Sequence, residues 1–191
     1  MAGYQQYAIF GANGPLSKAI HYAIENIHNP YEGYNNYYAY LTALYSGKAD
    51  NMCRLLQEYS LGWRVFRPNG GYFTMVDITN AIVHMPIRYF YHDITSEYVQ
   101  KNGDKKLKKF DDWLLLEKPD KTPDYAFCIW MTEVIGITPI PCFGFFLQDK
   151  GQEVQKWKNI NMIRFAQCKN EETMKEAEVK LAKYYNNFIA F

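Results

Sequence analysis

The sequence predicts an α+β fold in which a small mixed sheet packs against helices. Three observations predict it. After residue 60 the apolar patterning runs strand, strand, helix, strand, strand, helix. The strand segments are short and rich in aromatic and β-branched residues, with Gly, Pro and Asn between them. A long apolar-striped helix precedes them, of the kind that serves as a spine between two layers.

Length and composition bound the rest. A chain of 191 residues suffices for one good core with a helical appendage. A formal net charge of +1 leaves no electrostatic footprint for nucleic acid. No apolar run reaches the length of a membrane span, so the chain is expected not to be transmembrane itself. The start Met1, Ala2, Gly3, Tyr4 has neither a charged leader nor an apolar signal core. Cys53, Cys128, Cys142 and Cys168 lack the close paired spacing of zinc sites and sit in apolar runs. They are expected to be reduced core thiols, which makes the protein intracellular, cytoplasmic or mitochondrial. Plentiful tyrosine and phenylalanine favour protein contacts.

Taken in order, Tyr4 to Phe10 reads as a strand ended by the turn 11–14. Too little chain precedes it to supply sheet neighbours, so it is expected to pair with something distant in sequence or with another molecule, or else to be an exposed edge strand. Pro15 then opens a helix whose stripe is Leu16, Ala19, Ile20, Ala23, Ile24 and Ile27, stopping at Asn29-Pro30. Tyr31 to Asn36 is a turn. A second stripe of Tyr37, Tyr40, Leu41, Leu44, Tyr45, Met52, Leu55, Leu56 and Tyr59 runs to Gly62, with Ser46-Gly47 as the place where it could bend. Trp63 to Phe66 and Tyr72 to Ile78 form a hairpin about the turn Pro68-Asn69-Gly70-Gly71.

Residues 80–122 are the least regular. The lysine run from Lys101 to Lys109 reads as a solvated face. The aromatic piece 85–91 and the leucine and tryptophan piece 110–116 should pack on the domain or on a partner. Thr122 then caps a helix with Pro123 at its first position, and Gly136 ends it. Ile137 to Pro141 is a buried strand, residues 142–146 an aromatic turn, and 161–167 another strand. In the last helix, Glu171 and Glu172 occupy the first turn, and Met174, Ala177, Val179 and Leu181 face the core.

Alternation on the strand 161–167 puts Met162, Arg164 and Ala166 on one face and Ile163, Phe165 and Gln167 on the other. A guanidinium fixed there is a planar fork that can grip a carboxylate with two parallel hydrogen bonds, which lysine cannot reproduce. The plainer reading is an arginine lying along apolar surface with its head in water. Other constellations fail. His21, His28, His84 and His92 have no ligand spacing, and the glycine turns lack the lysine that phosphate loops need.

Five pieces in order resemble a known family: Leu61-Gly62-Trp63, the segments 68–73, 124–136 and 140–146, and Ile163-Arg164-Phe165 with the acidic helix after it. Together they are similar to the small domain of pyridoxal-phosphate aminotransferases of fold type I, closest to the kynurenine and glutamine transaminase group. On that resemblance residues 1–50 are a remnant of the large cofactor domain, including the start of the long connecting helix. Residues 51–191 are then the small domain, with an insertion at 81–122. Gln5 stands where the family has a Lys or Arg that holds the cofactor phosphate, and an amide cannot neutralise a dianion. Tyr7 replaces a family glycine.

By the same resemblance the lysine that binds the cofactor falls before Met1. The implied expectation is no complete transaminase and no pyridoxal phosphate on this chain alone. Arg164 matches the residue that grips the substrate α-carboxylate. It either works with a second chain that brings the large domain, or survives as a structural arginine bound to a carboxylate or carbonyl nearby. The expected function is a non-catalytic half domain, an accessory subunit of a larger assembly with protein partners. The alternative is one half of a split aminotransferase whose lysine domain is on another chain, itself aminotransferase-like.

Overall fold

The helix read at Pro15 forms as α1 (Gly14–Asn26), with proline in the first turn, where its missing N–H goes unneeded. Its apolar stripe faces outward. Leu16, Ile20 and Ile24 are each more than half exposed, and no residue of the helix is buried. These coordinates, a computed structural model, describe residues 14–145 and 161–189. The strand expected at Tyr4 to Phe10 lies outside the described residues, and so do Gln5 and Tyr7.

After α1 the chain turns at Glu32 and Gly33, which both take positive φ, and Tyr31 and Tyr34 exchange backbone hydrogen bonds across the turn. The rings of Tyr31, Tyr34 and Tyr37 gather around Tyr40. α2 (Tyr37–Glu58) follows, its N-terminus capped by the Asn36 side chain, which accepts from the Ala39 N–H at 2.8 Å. The helix runs unbroken through Ser46-Gly47. The chain divides there into two units, Met1–Ser46 and Gly47–Phe191.

In the second unit, Met52, Leu55 and Leu56 enter the core from α2, and the Trp63 indole N–H donates to the Leu56 carbonyl at 2.6 Å. β1 (Arg64–Phe66) and β2 (Phe73–Asp77) make the expected hairpin, with Val65 opposite Val76. β3 (Ile140–Pro141) and β4 (Met162–Ala166) complete a sheet of order β1-β2-β4-β3 among the described residues. Every pairing in it is antiparallel, which corrects the expected mixed sheet. The hairpin turn reverses the first pair, and β4 enters between β2 and β3 running opposite to both. Buried Thr74 donates to Gln167 Oε1 at 2.7 Å, and Gln167 Nε2 donates to the Gly71 carbonyl at 3.1 Å. That bridge ties the hairpin turn to the end of β4.

Most of the irregular stretch packs on its own unit, while Leu114 and Leu115 are 52% and 82% exposed. Phe90, Val99, Leu107, Phe110 and Trp113 are all core residues, and Trp113 stacks on Phe90 with the rings 5° from parallel. Within it lies α3 (Glu97–Asn102), N-capped by Ser96. Lys101, Lys105, Lys106, Lys108 and Lys109 are exposed, as a solvated lysine run should be. α4 (Pro123–Trp130) continues into one π-helical turn, Met131–Ile135, and Gly136 stops it at φ 79°. Glycine suits that left-handed position because a Cβ there crowds its own carbonyl.

α5 (Glu171–Ile189) is capped by Asn170, whose side chain accepts from the Thr173 N–H. Met174 and Leu181 are buried. Val179, expected in the core, is 66% exposed, because five residues on from Met174 is about 140° round a helix.

The core and the exposed face of α5 should therefore respond differently to truncation. Leu56→Ala is expected to cost roughly 2–5 kcal/mol in chemical denaturation, and Val179→Ala less than about 0.5 kcal/mol. Equal losses at the two positions would contradict the packing.

Candidate functional site

β4 is the inner strand that carries the one cation singled out by sequence. Its alternation holds: Ile163, Phe165 and Gln167 are buried, while Met162, Arg164 and Ala166 are half-buried on the other face. Arg164 stands opposite Met75 of β2 and Ile140 of β3, so strands on both sides fix its backbone.

Two rings hold its head. Arg164 Cζ lies 4.4 Å from the centroid of Phe73 and 3.5 Å from that of Phe145, well inside cation–π range. Nε is buried without a hydrogen-bond partner. Among the described residues no carboxylate forms an ion pair with this guanidinium, and its side chain donates no hydrogen bond. Cation–π contact does not consume the N–H donors of a guanidinium. With Nε buried, the candidate donors for a ligand are those on the two terminal nitrogens, which make no hydrogen bond among the described residues. A half-buried cation without a counter-charge favours an anion that can share its plane.

Phe145 reaches Arg164 from the single turn Phe143–Phe145, closed by a hydrogen bond from the Phe145 N–H to the Cys142 carbonyl at 2.9 Å. Phe73 reaches it from β2, where it pairs with Ala166. Burial, joined by the negative charge of Asp124, pushes the Cys142 thiol up to about 11, with Arg164 acting in the opposite sense. Burial likewise pushes the Cys128 thiol up.

Cys53, Cys128 and Cys142 are buried free thiols, as expected. Cys168 is exposed, contrary to the expectation of a core thiol, because it follows Gln167 beyond the end of β4. His21 pairs with Glu25 on an exposed helix face at 3.1 Å, and burial holds the His84 imidazole below its usual value. No group of three or more His, Cys, Asp or Glu placed to hold a metal occurs among the described residues. No described helix is long and apolar enough to cross a membrane.

Of the residues proposed from sequence, Arg164 is placed and Gln5 lies outside the described residues. Phe73 and Phe145 were not anticipated as parts of the site. Strand register was the available signal for Phe73. Nothing local to Phe145 announced that its turn returns to β4.

No family model matches the sequence. Solved structures share its fold, two aminotransferase structures among them. YbdL from Escherichia coli, identified with a methionine aminotransferase function, matches 93% of this chain at 19% identity, with a TM-score of 0.52. Bna3p from Saccharomyces cerevisiae, a proposed kynurenine aminotransferase, matches 97% at 21% identity, with a TM-score of 0.59. The chain spans about a third of the length of each, 32% and 35%. The expected likeness to the C-terminal half of a kynurenine-type aminotransferase is met at the level of fold.

Thiol chemistry checks the local burial. With a small aromatic disulfide at pH 8, one thiol should react quickly in the folded chain and all four after unfolding. Cys168→Ser is expected to abolish the fast phase, and a fast phase surviving in that variant would contradict the placement of the other three.

Proposed function

We propose that this chain supplies a carboxylate-binding small domain to an aminotransferase-type architecture, with pyridoxal phosphate and its lysine held by residues other than those described. The observation that supports the reading is Arg164, flanked by two rings and with no acid of its own beside it among the described residues. A guanidinium in that state is prepared for a planar, two-oxygen anion. The terminal nitrogens would grip the two oxygens of a carboxylate. The rings would keep the fork from swinging and exclude water from its faces.

The groups around Arg164 do not suit the cofactor. Two phenylalanine rings, the Cys142 thiol and aliphatic strand neighbours offer nothing that neutralises a phosphate dianion or condenses with an aldehyde. On this reading the domain binds and orients an amino-acid or oxo-acid carboxylate, and the bond-making groups come from elsewhere. A non-catalytic accessory subunit is the second reading. The outward stripe of Leu16, Ile20 and Ile24 on α1 favours a protein partner, another aminotransferase-like chain being one form of it. Carboxylate affinity at Arg164 separates the two readings.

The test is a side-chain nitrogen NMR titration of the full chain with 3-phenylpropionate, using 3-phenylpropanamide as the neutral control. Saturable shifts of the Arg164 N–H signals are expected with the acid and not with the amide. Followed through the Ile163 and Phe165 amides, Arg164→Lys should weaken binding by roughly tenfold, since the two-point grip is lost. Identical titrations in the parent and the lysine variant would overturn the reading.

A further inference from the structure

Asp124 is 0% exposed, and an ionised carboxyl survives in a core only where donors replace its water. Its two oxygens are each engaged. Thr122 Oγ1 donates to Oδ1 at 2.6 Å, and the Phe143 backbone N–H donates to Oδ2 at 2.7 Å. The side chain sits in the first turn of α4, at the positive end of the helix dipole. A carboxylate needed only to finish the helix would bond to the N–H groups of that turn. This one instead bonds to an amide nineteen residues further on, beyond β3. Thr122, at the N-cap position, makes no capping hydrogen bond of its own and turns its hydroxyl to Asp124.

The amide that Asp124 holds opens the turn Phe143–Phe145. At the far end of that turn the Phe145 ring is 65% exposed, yet its centroid is 3.5 Å from Arg164 Cζ. A ring so exposed gains little from burial to keep it in place. Its position follows from the backbone that carries it, and that backbone is anchored at Phe143. The thiol of Cys142, next to the anchor, feels both Asp124 and Arg164, so the three groups share one electrostatic neighbourhood.

We infer that Asp124 is the positioning residue of the Arg164 site, its buried carboxylate fixing the Phe143–Phe145 turn and so placing the Phe145 ring over the guanidinium. Asp124 touches no ligand. It acts through the turn, by setting how firmly one face of the fork is covered. The inference rests on the reading of Arg164 as a carboxylate receptor only for its functional consequence; the geometric claim can be tested without ligand.

The experiment uses the full labelled chain and reads the ring-current shift of the Arg164 Nε–H signal. That signal is assigned by its loss in Arg164→Lys, and its displacement is calibrated by Phe145→Leu. Asp124→Ala is expected to move the signal most of the way to its position in Phe145→Leu and to weaken 3-phenylpropionate binding several-fold, with unfolding still cooperative. Asp124→Asn can keep its oxygen on the Phe143 N–H and donate its NH₂ to the Thr122 hydroxyl, so little or no displacement is expected. A signal at its parent position in Asp124→Ala, or in the apolar near-isostere Asp124→Leu if the alanine variant does not fold, would overturn the inference and leave Asp124 a helix-end residue. If the signal moves while no variant or parent binds 3-phenylpropionate, the positioning claim stands and the carboxylate reading fails.

Discussion

A guanidinium in cation–π contact with two rings, with no acid of its own beside it among the described residues, is the interaction on which the candidate site turns. Charge at a half-buried position is costly unless something compensates it, and cation–π contacts compensate only in part, by roughly 0.5–2 kcal/mol each. Holding Arg164 in that state takes a rigid base. β4 provides it, because Ile163 and Phe165 on its opposite face are buried in the main core and the strand is paired on both edges. The hydrophobic side of the strand thus holds the cation on its polar side, and the bridge from Thr74 through Gln167 to Gly71 keeps β2, with Phe73, in register.

The rest of the second unit serves that base. The irregular stretch 80–122 closes the core with Phe90, Val99, Phe110 and Trp113 and leaves Leu114 and Leu115 exposed. In the first unit, α1 leaves Leu16, Ile20 and Ile24 exposed.

Much of this was legible in the chain. Periodicity located α1, α2, the hairpin and the alternation of β4, because each rests on a regular spacing of apolar residues or a strong stop such as Asn29-Pro30 or Gly136. Less was legible where geometry depends on distant partners. Val179 was assigned inward because apolar character outweighed its phase on the helix. Cys168 was assigned inward because it follows an apolar strand, although it lies past the strand's end. The sheet's all-antiparallel pairing depends on how β4 enters between its neighbours, which no local pattern encodes. For the site, the arginine was legible from alternation. Its ring partners and the Asp124 anchor were not, since each of those contacts links residues at least nineteen positions apart.

A crystal structure of the full chain with 3-phenylpropionate bound tests the central claim most directly. The account predicts both carboxylate oxygens within about 3 Å of the two terminal nitrogens of Arg164, with the Phe73 and Phe145 rings still flanking the guanidinium. Arg164 paired with an acidic side chain of its own chain, and the ligand absent or bound elsewhere, would contradict it.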